Sequence, residues 1–432
     1  MTDACLCYSY RPVGTERAIE RSPLHYGWVI VFTSMLCIMA CLGFGRFALG
    51  MLLPSMAATL NLSYSQMGYI STGNFLGYLI SVLVSGHFAA RTGPRRFIFL
   101  SLLLVGLSMA LVSQARTFGQ VMLLYMLTGI GSGATNVPVM GLVSAWFKAK
   151  KRGKAAGFVV IGSGFAIMLS GKLIPYINSV TGSDGWRTSW LILSGMVIAI
   201  AVLGVLFLRN RPEEMGLLQV GSDDAGLTQA APRPHLNVYK EWMIYYLGII
   251  YFLFGYTYVI YATFIVTTLV KERGFTEALA GNFWAWVGFL SLFSGPVFGT
   301  LSDRLGRRAG LIMVFSLQTM AYLLVASGLP GPFLYLSIFF FGIVAWSIPS
   351  IMAAAVGDYV GARNAPAAFG LVTFIFGFGQ IAGPSVAGIL AEKTGSFSSS
   401  FIMTASLAGC AIVLSLFLSK PRGKADEEIV RT

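Results

Sequence analysis

Residues 299–308 read GTLSDRLGRR, and residues 86–96 read GHFAARTGPRR. Both follow G-x-x-x-x-R-x-G and close on a pair of arginines. Each interrupts a long apolar sequence, 86–96 after the second apolar block and 299–308 after the eighth. A basic, glycine-punctuated loop that returns at the matching place implies one six-block unit used twice. Parallel repeats of this kind place a transport site between two halves related by an axis along the membrane normal.

Composition agrees. Of 432 residues, 56% are hydrophobic and only 11% are charged, whereas soluble domains carry roughly a quarter charged residues. The apolar residues come in blocks near the ~20 needed for a helix to cross a bilayer. Blocks bounded by charges and turns predict helices over 27–53, 65–87, 96–114, 119–146, 153–176 and 187–208. A second set follows over 242–270, 279–300, 309–328, 331–356, 365–391 and 399–419. The reading is an all-α membrane protein of twelve transmembrane helices in two pseudo-symmetric six-helix halves, 26–208 and 241–419. A polar linker, 209–240, separates them, and tails 1–25 and 420–432 flank them.

The net charge of +13 is not spread as a nucleic-acid surface would be. With the N-terminus inside, the cytoplasmic segments hold 23 of the 30 Lys and Arg residues and the outer loops hold five. The positive-inside rule then predicts an inner membrane protein with both termini cytoplasmic. Cys37, Cys41 and Cys410 lie in apolar spans, and the histidines His25, His87 and His235 make no metal-ligand spacing. No Walker phosphate loop occurs, so neither cofactor nor metal nor ATP hydrolysis is expected. The chain is not expected to be an enzyme, and gradients must drive any transport.

At the two loops the chain resembles the major facilitator superfamily. Gly299, Asp303, Arg304, Gly306, Arg307 and Arg308 fall in register with its signature. The first copy keeps Gly86, Arg91, Gly93, Arg95 and Arg96, but Ala90 stands where the signature has Asp. The resemblance implies a gating role for these loops, alternating between states. Positive-inside topology alone also accounts for their charge. The opening HYGWVIV, 25–31, looks like bacterial monocarboxylate and oxalate–formate carriers, and GRFALGMLLPSM, 45–56, is similar to a further bacterial branch. Monocarboxylate-type carriers place an arginine in helix 8; this chain has none there.

Two cations fall well inside predicted spans, away from their ends, Arg46 and Lys172, while no Asp or Glu does. Arg46 is roughly 28 Å along its helix from Gly27 at 1.5 Å per residue. A charge in lipid costs at least ~2.5–3.5 kcal/mol, so it should face protein or water. In the implied family helices 1 and 5 border the central cavity, so both cations could share one vestibule; the alternative is snorkelling to the outer interface, which is the favoured reading for Lys172, while Arg46 is read as functional. The missing counter-charge suggests that the substrate supplies it. Candidate substrate-binding residues are Arg46, Asn74, Tyr78, Asn136, Tyr258, Tyr261 and Gln380, with phenols and amides orienting a carboxylate.

The expected function is secondary transport of a small organic anion by alternating access, with protons as coupling ion or anion exchange. The expected partners are that small-molecule substrate and membrane lipids, with no nucleic acid, in a monomer. Efflux of amphipathic drugs or neutral solutes such as sugars is the alternative, and a non-transporting receptor is a further one.

Overall fold

The computed structural model describes residues 25–221 and 238–419. The expected tails and the middle of the expected linker therefore lie outside the described residues. The helices are α1 Gly27–Thr59, α2 Tyr64–Thr92, α3 Pro94–Val112, α4 Phe118–Trp146, α5 Ala149–Thr181 and α6 Gly185–Phe207. The second set is α7 Trp242–Glu272, α8 Glu277–Leu305, α9 Arg307–Ala326, α10 Gly331–Gly361, α11 Asn364–Thr394 and α12 Ser398–Leu416. Eleven are long and apolar enough to span a membrane. The other, α4, carries 29 residues.

Local chemistry sets the helix ends. Ser63 accepts from the Gln66 backbone N–H at 3.3 Å while the Gln66 side chain accepts from the Ser63 N–H, a closed capping box at the start of α2. Thr117 and Thr276 cap α4 and α8 through their hydroxyls. The repeated loops explain their own glycines: Gly93 has φ +85° and Gly306 φ +93°. Each is the single residue between consecutive helices, in a conformation that a Cβ disfavours.

Several helices outrun their apolar blocks. α1 does not stop before Pro54 but continues to Thr59, because neighbouring groups can satisfy what proline frees. α10 is interrupted at Ala345 and Trp346, and Gly361, with φ +75°, turns the chain into α11.

The two halves meet along α2–α11, α5–α8 and α1–α7, and the meeting is unequal at the two ends. Away from the Arg-rich loops the contact is backbone on backbone. A Cβ on Gly171 would lie 2.5 Å from the Gly281 carbonyl oxygen, and one on Gly68 2.3 Å from that of Pro384. Thr72 Oγ1 donates to the Ile381 carbonyl at 2.8 Å, and Asn178 Nδ2 to Glu277 Oε2 at 2.7 Å. Lys172 Nζ donates to Asn282 Oδ1 across the same seam.

At the loop end, by contrast, added Cβ atoms on Gly86, Gly157, Gly299 and Gly370 would meet nothing within 4 Å. A cleft of about 760 Å³ opens there between the halves, lined by residues of α5, α8, α10 and α11 including Lys154, Phe158, Pro296, Trp346 and Phe369. The structure is sealed at one end and open at the other.

Candidate functional site: a buried guanidinium between the halves

The site begins with a backbone irregularity. Within α1, residues Met39–Phe47 widen into a π-helix. Such a turn disturbs the regular carbonyl ladder and is frequent at functional sites. Neighbouring helices supply donors to its carbonyls. Ser132 Oγ donates to Cys41 O at 2.7 Å, Tyr125 Oη to Arg46 O at 2.9 Å, and Asn74 Nδ2 to Gly45 O at 3.4 Å and Tyr125 O at 3.0 Å. α2 and α4 thus hold the segment that carries Arg46.

Arg46 is only 7% exposed. Its guanidinium carbon lies 4.0 Å from the Tyr78 ring centroid and 4.5 Å from that of Phe75, a cation–π placement on two rings. The Tyr258 phenol approaches from the other half, within side-chain hydrogen-bonding reach of the guanidinium. Nε and Nη2 are buried without a hydrogen-bond partner, and no ion pair to Arg46 exists among the described residues. A small cavity of about 10 Å³ adjoins the group, lined by Phe47, Gly50, Ser71, Asn74, Thr263 and others. That is room for about one water. Aromatic faces cover part of the charge, but they leave two N–H directions unanswered.

Most of the expected site residues converge here. Asn136 Nδ2 donates to Tyr78 Oη at 2.8 Å, fixing the ring beneath the guanidinium. Facing them, Gln380 Nε2 donates to Tyr258 Oη, and Tyr258 stacks on Phe254 with centroids 4.8 Å apart. Asn74 is present mainly as a backbone brace; its Oδ1 stays unpartnered, as does that of Asn136.

One expected site residue is corrected, and one of the two readings of Lys172 falls away. Tyr261, three residues from Tyr258, points the other way: it bonds Ser337 Oγ at 2.9 Å and stacks on Phe341 at 4.0 Å, inside the second half. Lys172 does not share the Arg46 chamber. It is exposed on the α5–α8 seam, lining a separate groove with Asn282, Trp286 and Phe289.

Sequence reasoning missed Phe75, Tyr125, Ser132 and Trp346. The Ser-x-Pro that follows Trp346 hints at a helix break, but nothing in sequence aims its ring. Phe47 and Trp346 lie 5.1 Å apart, and Tyr258 meets Trp346 edge-on at 5.9 Å.

The Arg-rich loops do different work in the two halves. Arg307 Nε donates to Asp358 Oδ2 at 2.8 Å, and its Nη1 reaches Ser302 Oγ and Asp303. With Ala90 in place of a carboxylate, Arg95 Nε instead donates to the Val205 carbonyl at 2.7 Å, near the end of α6, while its backbone N–H donates to Asn210 Oδ1 at 2.9 Å. Arg91, Arg96, Arg304 and Arg308 sit exposed at the helix ends. These bonds stay within one half each.

Comparison with known proteins fits this architecture. The hexuronate transporter of Bacillus subtilis is 24% identical over 411 residues, covering 89% of this chain and 94% of that protein. The probable sulfoacetate transporter SauU of Cupriavidus necator is 23% identical, covering 89% and 92%. Among solved structures, a bacterial homologue of the human lysosomal transporter Spinster, inward-facing and occupied, superposes with a TM-score of 0.74 at 14% identity, covering 92% of this chain and 97% of that one. Residues 38–420 match the profile of the family described as "Uncharacterised MFS-type transporter YbfB". With two six-helix halves, a buried guanidinium between them and a profile match over residues 38–420, the chain belongs to this family of major facilitator superfamily membrane transporters.

Proposed function

We propose that this transporter carries a small organic anion, a carboxylate, whose negative charge is the missing partner of Arg46. The carrying observation is a buried guanidinium with two unpartnered nitrogens and, among the described residues, no carboxylate to neutralise it. An unpaired buried charge is costly, and a carboxylate docking on it gains charge-assisted, two-pronged hydrogen bonds. Tyr78, Asn136, Tyr258 and Gln380 would orient the rest of the molecule. Relatives named for hexuronate and sulfoacetate support an anionic cargo.

The transport cycle is alternating access in a cell membrane. The strong Lys and Arg bias supports assigning the loop end, and with it both termini, to the cytoplasm. In that assignment the present state is open inward. Among the described residues no acidic side chain reaches the site, so a proton would travel on the carboxylate itself, or one anion would exchange for another. Closure of the loop end, with the Arg-rich loops as its hinges, would complete the cycle. A second reading, an amphipathic solute, is favoured by the apolar walls of the wide cleft, among them Phe158, Leu292 and Phe369.

The test is uptake of labelled mono- and dicarboxylates into proteoliposomes, beside thermal shifts on the detergent-solubilised protein. Carboxylates are expected to raise the melting temperature of the parent and not of Arg46→Gln. An Arg46→Gln protein that folds normally and still takes up the anion at the parental rate rules the assignment out. Uptake restricted to uncharged amphipathic solutes favours the second reading.

A further inference from the structure

Phe47 lines the small cavity beside Arg46, and Trp346 lines the open cleft. Their rings touch across the two halves, one from α1 and one from α10. Together they form the partition between the guanidinium and the open end. Tyr258 buttresses the indole from the side, and Gln380 in turn holds Tyr258.

Trp346 does not sit on a regular helix. Its backbone, at φ −113° and ψ 17°, is the step between the two segments of α10. Its N–H leaves the helical ladder and donates to Ser294 Oγ of α8 at 3.1 Å, and Ser347 Oγ donates back to the Ser294 carbonyl at 3.0 Å. A break pinned by one serine is a place where the outer segment can turn without unwinding the inner one. The indole Nε1–H is buried and has no acceptor. It is a further buried donor without a partner, on a ring that touches Phe47, the residue after Arg46.

We propose that Trp346 is the inner gate of the Arg46 chamber, hinged at the α10 break on Ser294, and that its indole N–H becomes a second donor to the bound substrate. The donor role rests on the anion reading above; the gate does not. An arriving anion exchanges the Phe47–Trp346 contact for a bond to the indole, so occupancy and gate position are coupled. Trp346 then helps determine specificity, because solutes without an acceptor at that position leave the N–H unanswered.

The gate is measured without any solute. A cysteine replaces Val259, which lines the chamber, in a chain whose native cysteines are removed, and its maleimide labelling is timed from the open end. Adding Trp346→Ala is expected to speed labelling about tenfold or more, the worth of losing two aromatic pairs. Trp346→Phe is expected to keep labelling slow while raising the KM for carboxylate uptake about tenfold or more, with little change in maximal rate. Ser294→Ala, which frees the hinge but keeps the ring, is expected to speed labelling by an intermediate factor, and it decides the question should Trp346→Ala fail to fold. Labelling unchanged by Trp346→Ala and Ser294→Ala overturns the gate. An unchanged KM in Trp346→Phe overturns the donor role. A carboxylate that neither shifts melting nor is transported, with labelling accelerated as expected, sinks the anion reading and leaves the gate standing.

Discussion

Replacing Gly171 by alanine is expected to pry open the sealed end. The new Cβ would stand 2.5 Å from the Gly281 carbonyl oxygen and 2.7 Å from the Ala285 backbone nitrogen. Both obstacles are backbone, so no rotamer change removes them. Ordinary contact begins at 3.4 Å, and the difference, 3.4 − 2.5 = 0.9 Å, is the least separation the seam must find. Overpacking of this kind costs about 1–3 kcal/mol. The cost falls only on the state in which α5 and α8 touch here, so the state open at this end gains by that amount. A bias of about 1–3 kcal/mol shifts the two populations about 5–150-fold. Spin labels at Ala58→Cys and Ala278→Cys, exposed residues of opposite halves that line one groove at this end, report the change by pulsed dipolar spectroscopy. The inter-label distance should lengthen in Gly171→Ala relative to the labelled parent. An unchanged distance distribution in a folded protein refutes the reasoning, because the seam would then have absorbed a methyl group without separating.

Two further predictions concern the scaffold. Tyr125→Phe removes the donor to the Arg46 carbonyl in the π-helix; the expected loss is about 0.6–1.7 kcal/mol, the range for hydrogen bonds between membrane helices, read as a lowered melting temperature. Gly306→Ala places a side chain at φ +93°, ψ +152°, a cost of about 1–3 kcal/mol, whereas Gly299→Ala meets open space in this state. Thermal denaturation should therefore separate the two alanines, with only the first clearly destabilised.

The architecture was legible because its signals are coarse and repeated. Apolar blocks located the helices, and the paired loops revealed the duplication, with Gly93 and Gly306 at equivalent turns. Arg46 stood out because apolar sequence continues on both sides of it. What sequence did not supply was rotation. α7 is buried almost all round, so no polar stripe distinguishes its faces, and Tyr258 and Tyr261 read alike although one meets Gln380 and the other Ser337. Arg46 and Lys172 share a similar depth but not a facing direction. The π-helix and the break at Trp346 depend on donors from other helices, Tyr125, Ser132, Asn74 and Ser294, that periodicity does not pair.

The loss of one carboxylate at position 90 leaves twin hairpins with different electrical character. Around Arg307 the fastening is ionic and partly wetted, with Asp303 and Asp358 side chains 62% and 43% accessible, so dissolved salt weakens it. Around Arg95 the guanidinium is tied to a neutral carbonyl and its peptide nitrogen to an amide, where added electrolyte finds no opposing charge to shield. A duplicated scaffold has thereby become mechanically lopsided: brine slackens one hairpin and spares its sibling.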